Sequence, residues 1–327
     1  MATPIGTGLV SSISRRYIMP DVVDVVYRSN VVTFRLLSQN KKSVQGGTQI
    51  EVPAMYQAFT NGGPYQGYQL LDVAPNDTVK NLAFDWKQQY IPVSIDRLSL
   101  IKLNSPEAVA NGIGLLFAQA QMQMADNLGT GIWSDAVTNA LQIDGIKGAV
   151  DAGTITTAYG GLTRSTNTWL NSTVDASTAT LTAAALQSLF MNATEGGRAP
   201  TLIASRAMQY NRLHALGLAS DKQTFPSAAG GQDTQLASVG FTNLLYNNTP
   251  WVVDSHVPDG ATNSSNSDIY MLNEDYFSLV VNTMADFYLE DFQVPVNQDA
   301  MVAKILWAGN LVVMNTQRQA KMTTVTA

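Results

Sequence analysis

Two alternating stretches around a long glycine-rich bend constrain this chain more than any other feature. After Gly46-Gly47, Ile50 and Val52 alternate with Gln49 and Glu51 until Pro53. The alternation returns with Leu82, Phe84 and Trp86 on one face and Asp85, Lys87 and Gln89 on the other, continuing through Tyr90 and Val93 to Ile95. Residues 54–78 between them hold turn formers and aromatics: Asn61-Gly62-Gly63-Pro64, Tyr65, Gly67, Tyr68 and Pro75-Asn76-Asp77. Period two marks strands, so the pattern predicts an extended hairpin with a long tip. A two-stranded ribbon is marginal in water, and ordering backbone costs roughly 1–2 kcal/mol per residue. Something must cover Leu82, Phe84 and Trp86: the body of the same chain, or a neighbouring subunit. We expect the second, with Tyr65 and Tyr68 making inter-subunit contacts alongside them.

The clearest helix follows. Ser105 suits the N-cap, Pro106 the first helical position, and Glu107 the positive end of the dipole. Val109, Ile113, Leu116, Phe117, Ala120, Met124 and Leu128 then form one apolar stripe. Residues 106–128 predict a rod of about 35 Å, weakened or ended at Gly129 and Gly131, with Ile132 to Leu141 as a second helical piece. Shorter helices are expected at Leu181–Ala193 and Arg206–Leu216 around a strand at Thr201–Ala204. Strands are expected at Phe241–Tyr246, Trp251–Asp254, Ile269–Leu272, Phe277–Val281 and Val302–Met314. The last is apolar on both faces, which predicts a strand inside a sheet covered on both sides. Helices and strands do not alternate regularly, and the class is α+β.

Composition sharpens the question of partners. Charged residues make up 13 % of the 327 residues, about half the roughly 25 % of a typical soluble protein. Ser, Thr, Asn, Gln and Gly replace them, a coat better suited to packing against copies than to keeping a lone globule dispersed. The net charge is −6, unevenly placed. Residues 1–50 carry Arg15, Arg16, Arg28, Arg35, Lys41 and Lys42 against Asp21 and Asp24, a net of +4 that leaves −10 for the remainder. A basic arm on an acidic body is either a solvated arm or one that meets an acidic partner such as nucleic acid.

The sequence offers little chemistry. There is no cysteine, which removes disulfides, thiol nucleophiles and cysteine-ligated metal. His214 and His256 are the two histidines. His214 is expected mid-helix beside Leu213 and Leu216. His256 follows Asp254-Ser255, and a hydrolase sketched around it finds no support elsewhere in the sequence. Gly112-Ile113-Gly114 and Gly129-Thr130-Gly131 lack the third glycine and the preceding strand of a dinucleotide fingerprint. The loop from Asp259 to Asp268 is rich in oxygen ligands but lacks the EF-hand pattern, so a turn is the better reading than a calcium site. We expect no catalytic residues, cofactor or metal. No run of residues approaches a membrane span, and Met1 to Gly6 lack a secretory pattern, so a cytoplasm-like compartment is expected.

In order, the chain offers a basic arm, a long hairpin, a long capped helix, a mixed region and a closing buried strand. This succession resembles the major capsid (coat) proteins of tailed bacteriophages, the Hong Kong 97 phage-type fold. Leu82-Ala83-Phe84-Asp85-Trp86-Lys87 through Val93-Ser94-Ile95-Asp96 looks like the family's returning loop strand, and Ser105 to Leu128 like its spine helix. Gly160-Gly161-Leu162-Thr163-Arg164-Ser165-Thr166 before Trp169 is similar to a recurring segment after that helix. Pro200-Thr201-Leu202-Ile203-Ala204 with the next helix looks like the axial domain. Asn273-Glu274-Asp275-Tyr276-Phe277 through Trp307 and Leu311 resembles the return into the peripheral domain.

The resemblance implies an arm at 1–45, an extended loop at 46–98, a peripheral domain from 99–145 and 286–327, and an axial domain at 146–285. It implies self-assembly into hexamers and pentamers of an icosahedral head around double-stranded DNA, in a virion assembled in the host cytoplasm. Arg15, Arg16, Arg28 and Arg35 would then face DNA or a neighbour. Implied partners are a separate scaffolding protein, a portal protein and, in some relatives, a decoration protein. Some relatives cross-link lysine to asparagine, and Lys80 and Lys87 lie in the hairpin without a motif that carries this over. An encapsulin compartment, which shares the fold, and a lone hydrolytic enzyme are the alternatives.

Overall fold

The computed structural model describes residues 30–98, 106–176, 180–194, 196–215, 244–259, 266–295 and 299–326. Arg15, Arg16, Arg28 and Ser105 lie outside the described residues. So does the start of the strand expected from Phe241.

The described chain opens with a helix that the sequence reading did not anticipate, α1 (Val31–Gln39), which buries Val31, Val32 and Leu36. Four strands follow: β1 (Lys41–Val44), β2 (Gln49–Met55), β3 (Val79–Asp85) and β4 (Lys87–Asp96). Helix α2 (Pro106–Ile132) has 27 residues, about 40 Å of rod. Its stripe is buried at Ala120, Met124, Leu128 and Ile132 and half-buried at Leu116 and Phe117. The helix passes through Gly129 and ends one residue after Gly131, close to the expected stop; the Asn30 amide comes within 2.7 Å of where a Gly129 Cβ would stand. The expected helix to Leu141 is absent: residues 133–141 form turns. There the Asp135 carboxylate accepts the N–H groups of Val137 and Thr138, a local bond that competes with helix continuation.

Next come α3 (Ile146–Ala149), β5 (Ala158–Tyr159), β6 (Leu162–Thr163), β7 (Thr173–Asp175) and α4 (Ala183–Ala193). Thr182 caps α4 by accepting the Ala185 N–H. The remaining elements are β8 (Leu202–Ser205), α5 (Ala207–Ala215), β9 (Leu244–Tyr246), β10 (Thr249–Val253), β11 (Asn266–Leu272), β12 (Phe277–Asn282), β13 (Tyr288–Gln293), β14 (Ala300–Val313) and β15 (Ala320–Thr326).

Strand β14 organises one five-stranded sheet. It pairs antiparallel with β4 over ten residues, Ala300↔Asp96 to Gly309↔Lys87, and with β12 and β13; β1 adds parallel to β12. The expected two-sided cover holds for its C-terminal half, where Trp307 to Val313 are buried. From 302 to 306 it alternates instead, burying Ala303 and Ile305 while Lys304 stays exposed. A six-stranded sheet runs β7-β15-β11-β8-β10-β9, and β2–β3 and β5–β6 are separate ribbons. The main core joins α1, α2, the five-stranded sheet and the 143–170 region, and a smaller core packs α4 on the six-stranded sheet.

The sheets join strands that lie far apart in the sequence. β4 belongs to the five-stranded sheet rather than to a free hairpin, which narrows the ribbon to β2 and β3. β12 joins β14, while β15 leaves it for the six-stranded sheet.

Candidate assembly surfaces

The hairpin is half seated and half free. Ile50, Val52, Leu82 and Phe84 share one face of the β2–β3 ribbon through the pairs Ile50↔Phe84 and Val52↔Leu82. That face lies on the chain's own body: Leu82 is 0 % exposed and Phe84 3 %. The seat is the tight β5–β6 turn, where Gly160 and Gly161 both take positive φ, a conformation open to glycine. A Cβ on Gly160 would stand 2.9 Å from Leu82, so a larger residue would push the ribbon off. The Ala83 N–H donates to Gly160 O at 3.0 Å. The Phe84 ring meets Tyr159 edge-on, with centroids 5.2 Å apart. Lys80 Nζ donates to Asn167 Oδ1 at 2.9 Å and lies 4.5 Å from the Tyr56 ring centroid. Lys87 Nζ donates to Ala140 O.

For Leu82 and Phe84 the cover expected from a neighbour comes from the same chain. Leu82 and Phe84 are core residues of their own subunit, and Trp86 is half-buried against that core with Nε1 donating to Gly47 O. The apolar face of the ribbon has an intramolecular seat because the Gly160-Gly161 turn lets backbone approach it closely.

The tip behaves differently. Tyr65 is 66 % exposed, and Tyr68, Phe59, Leu70 and Val73 are more exposed still. The tip is braced from within: Asn61 donates to Ala74 O, Thr60 to Asn76 Oδ1, and the Tyr56 N–H to Thr78 O. Contiguous exposed apolar side chains of this kind mark an interaction surface. A second such surface lies on the five-stranded sheet, where the pairs Tyr288↔Leu306 and Leu306↔Tyr90 set three side chains in a row. Beside them Gln88, Ala285, Lys304, Leu306 and Ala308 line a groove of about 480 Å³.

Arg35 also requires correction. It is buried, and its Nε donates to Glu274 Oε1 at 2.5 Å. Burial of Val31, Val32 and Leu36 turns this face of α1 inward and carries Arg35 with it. Lys41 likewise pairs with Asp286. Two of the six basic groups in residues 1–50 are therefore neutralised within the chain.

Buried polar ties hold the frame of these surfaces, and sequence reading missed them. Arg164 donates to four carbonyls, those of Gly148, Ala149, Asp151 and Leu170, fixing the turn that carries Gly160. Asp151 accepts the N–H groups of Gly153, Ile155 and Thr156 and pairs with Lys321 at 3.3 Å, both side chains 1 % exposed. Burial pulls the Lys321 ammonium below its usual range, opposed by the Asp151 charge. Asn310, in mid-β14, donates to Asp85 O and Asp144 Oδ2 and accepts the Asp144 N–H, joining the hairpin base to the sheet. Burial pushes the Asp144 carboxyl above its usual range.

His256 sits between two carboxylates. Its Nε2, the nitrogen a nucleophile would need, lies 2.8 Å from Asp126 Oδ1, and its Nδ1 lies 3.4 Å from Asp254 Oδ1. In the oxygen-rich loop, Asp259 pairs with Arg206, and residues 260–265 lie outside the described residues. Among the described residues no three acidic or histidine side chains gather as a metal site would need, and no helix is long and apolar enough to cross a membrane.

No protein-family model and no curated protein sequence matches the chain. Solved structures do. The capsid asymmetric unit of cyanophage A-1(L) matches with a TM-score of 0.66 at 14 % identity, covering 98 % of this chain and 99 % of that one. The holo-SrpI encapsulin complex from Synechococcus elongatus matches with a TM-score of 0.62 at 9 % identity, covering 99 % and 97 %. The capsid of a native GTA particle matches with a TM-score of 0.61 at 11 % identity, covering 96 % of each. The likeness runs over the whole length of both partners, and the α+β fold of this chain is that of phage capsid subunits.

Proposed function

We propose that this chain is a structural shell subunit, the major capsid protein of a tailed phage head, and not an enzyme. The observation that carries the reading is the half-seated hairpin. Its base is fixed to its own subunit, while its braced apolar tip, residues 56–78, stays exposed on a fold used by capsid subunits. Tyr65 and Tyr68 would contact a neighbouring copy. The open row of Tyr90, Leu306 and Tyr288 is a surface of matching character. On this reading the five-stranded sheet with α2 is the peripheral domain and the six-stranded sheet the axial domain. Copies would form hexamers and pentamers, close into an icosahedral shell and enclose double-stranded DNA without reading its sequence. Arg15, Arg16 and Arg28 would face DNA or a neighbour. A scaffolding protein and a portal would act during assembly in the host cytoplasm.

Many moderate contacts per subunit suit such a shell better than one tight interface, because misplaced subunits must be able to leave. Negative-stain microscopy of the purified protein tests the proposal: uniform closed shells are expected, and a dispersed single subunit under every solution condition overturns it. The likeness to the SrpI encapsulin favours one second reading, a compartment that holds protein cargo. Particles filled with DNA select the phage head, and particles filled with protein select the compartment.

A further inference from the structure

The imidazole of His256 lies where three parts of the fold meet. Its side chain is 3 % exposed and is held between two carboxylates from different elements. Asp126 comes from α2 and approaches Nε2 at 2.8 Å. Asp254 follows β10 of the six-stranded sheet, approaches Nδ1 at 3.4 Å, and accepts the His256 backbone N–H through the same oxygen. The other Asp254 oxygen accepts the N–H of Val32, in the first turn of α1. Asn30, just before α1, donates to Ala125 O of α2, one residue from Asp126. The sheet, the long helix and the start of α1 thus meet at one side chain and its two carboxylates. The imidazole is hydrogen-bonded to Asp126 and in charge contact, without a hydrogen bond, with Asp254.

The chemistry of such a site depends on one proton. An imidazolium offers an N–H to each carboxylate and neutralises one of the two charges. A neutral imidazole has one N–H, so one carboxylate must then face a nitrogen lone pair of an almost fully buried ring. We propose that His256 is a proton-operated pin, which in its charged form holds α1 and α2 to the six-stranded sheet and on deprotonation lets them separate from it. The other charged groups nearby are already paired: Lys147 with Asp135, and Arg206 with Asp259, while Arg206 Nε also donates to Val257 O. On α1 the charged side chain is Arg35, paired with Glu274. A recess of about 240 Å³ lined by Thr130, Trp133, His256 and Pro258 gives the proton a route to solvent.

Burial lowers the affinity of His256 for its proton, but Asp254 and Asp126 outweigh it and raise the pKa above the ordinary 6.5. A raised value in the folded state means that the pin is fully engaged below about pH 6.5 and is lost as pH rises through the raised value.

Hydrogen–deuterium exchange of the full chain, read by mass spectrometry at pH 6 and pH 9 with the intrinsic change in exchange rate divided out, tests this. The amides of α1 and of the last turns of α2 should open more often at pH 9 than at pH 6. His256→Gln should open to the high-pH level at both values. Unchanged opening in the wild type, or wild-type pH dependence in His256→Gln, overturns the proposal. Should His256→Gln fail to fold, Asp126→Asn keeps one carboxylate and must move the midpoint of opening to lower pH; a wild-type midpoint in that variant overturns it equally. A purely structural histidine would give the same opening at both pH values.

Discussion

Leu82→Ala separates the two roles of the hairpin. Leu82 is fully buried in the lone subunit, over Gly160 and in line with Phe84. The substitution deletes three carbons, about 0.8 kcal/mol each in transfer free energy, or roughly 2.4 kcal/mol together. The hole lies over the Gly160 backbone, in a turn fixed through Arg164, so it collapses poorly, and the total comes to about 3–4 kcal/mol. Against the 5–15 kcal/mol that holds a typical domain folded, such a loss is large. Urea denaturation of the full chain, followed by tryptophan fluorescence under conditions that keep it dispersed, should show a clear fall in midpoint. Tyr68→Ser is the contrast: it should leave the midpoint unchanged and reduce shell yield by microscopy. If Leu82→Ala kept the wild-type midpoint yet abolished shells, Leu82 would be an inter-subunit contact and the intramolecular seat would be wrong.

Other outcomes follow from the polar ties. Asp151→Ala strands the Lys321 ammonium and three backbone N–H groups in the interior and should cost about 3–5 kcal/mol in the same denaturation assay. Burial pushes the Asp135 carboxyl up, but Lys147 and the N–H groups of Thr138 and Val137 outweigh it and hold it down at about 2. Its stabilisation, about 2 kcal/mol, is present above its unfolded value near 4 and lost as pH falls toward 2, so Asp135→Asn should flatten that acid limb of stability. Arg35→Ala should lower the thermal midpoint of the subunit and leave its affinity for nonspecific double-stranded DNA unchanged, because Arg35 is held by Glu274 rather than displayed.

Periodicity by itself determined the long helix, the alternating ribbon, the strands around Leu202, Trp251, Ile269 and Phe277, and the burial of the C-terminal half of β14. These patterns are local: each face needs only water on one side and something apolar on the other. The exposed tip with Tyr65 and Tyr68 was legible for the same reason, since glycine, proline and aromatics crowded into one bend leave no alternating face to bury. What covers a face is not local, and only the tertiary structure decided it. Leu82 and Phe84 would look the same whether a neighbour or the Gly160-Gly161 turn received them, because that turn lies some eighty residues further along the chain. Lys321 hid β15, an inner strand, because a lysine reads as exposed until Asp151 is placed against it. Arg35 read as part of a displayed arm until Glu274 met it from the far end of the chain. A charge announces its need for a partner, but the fold alone says whether that partner is water, another molecule or a distant residue of the same chain.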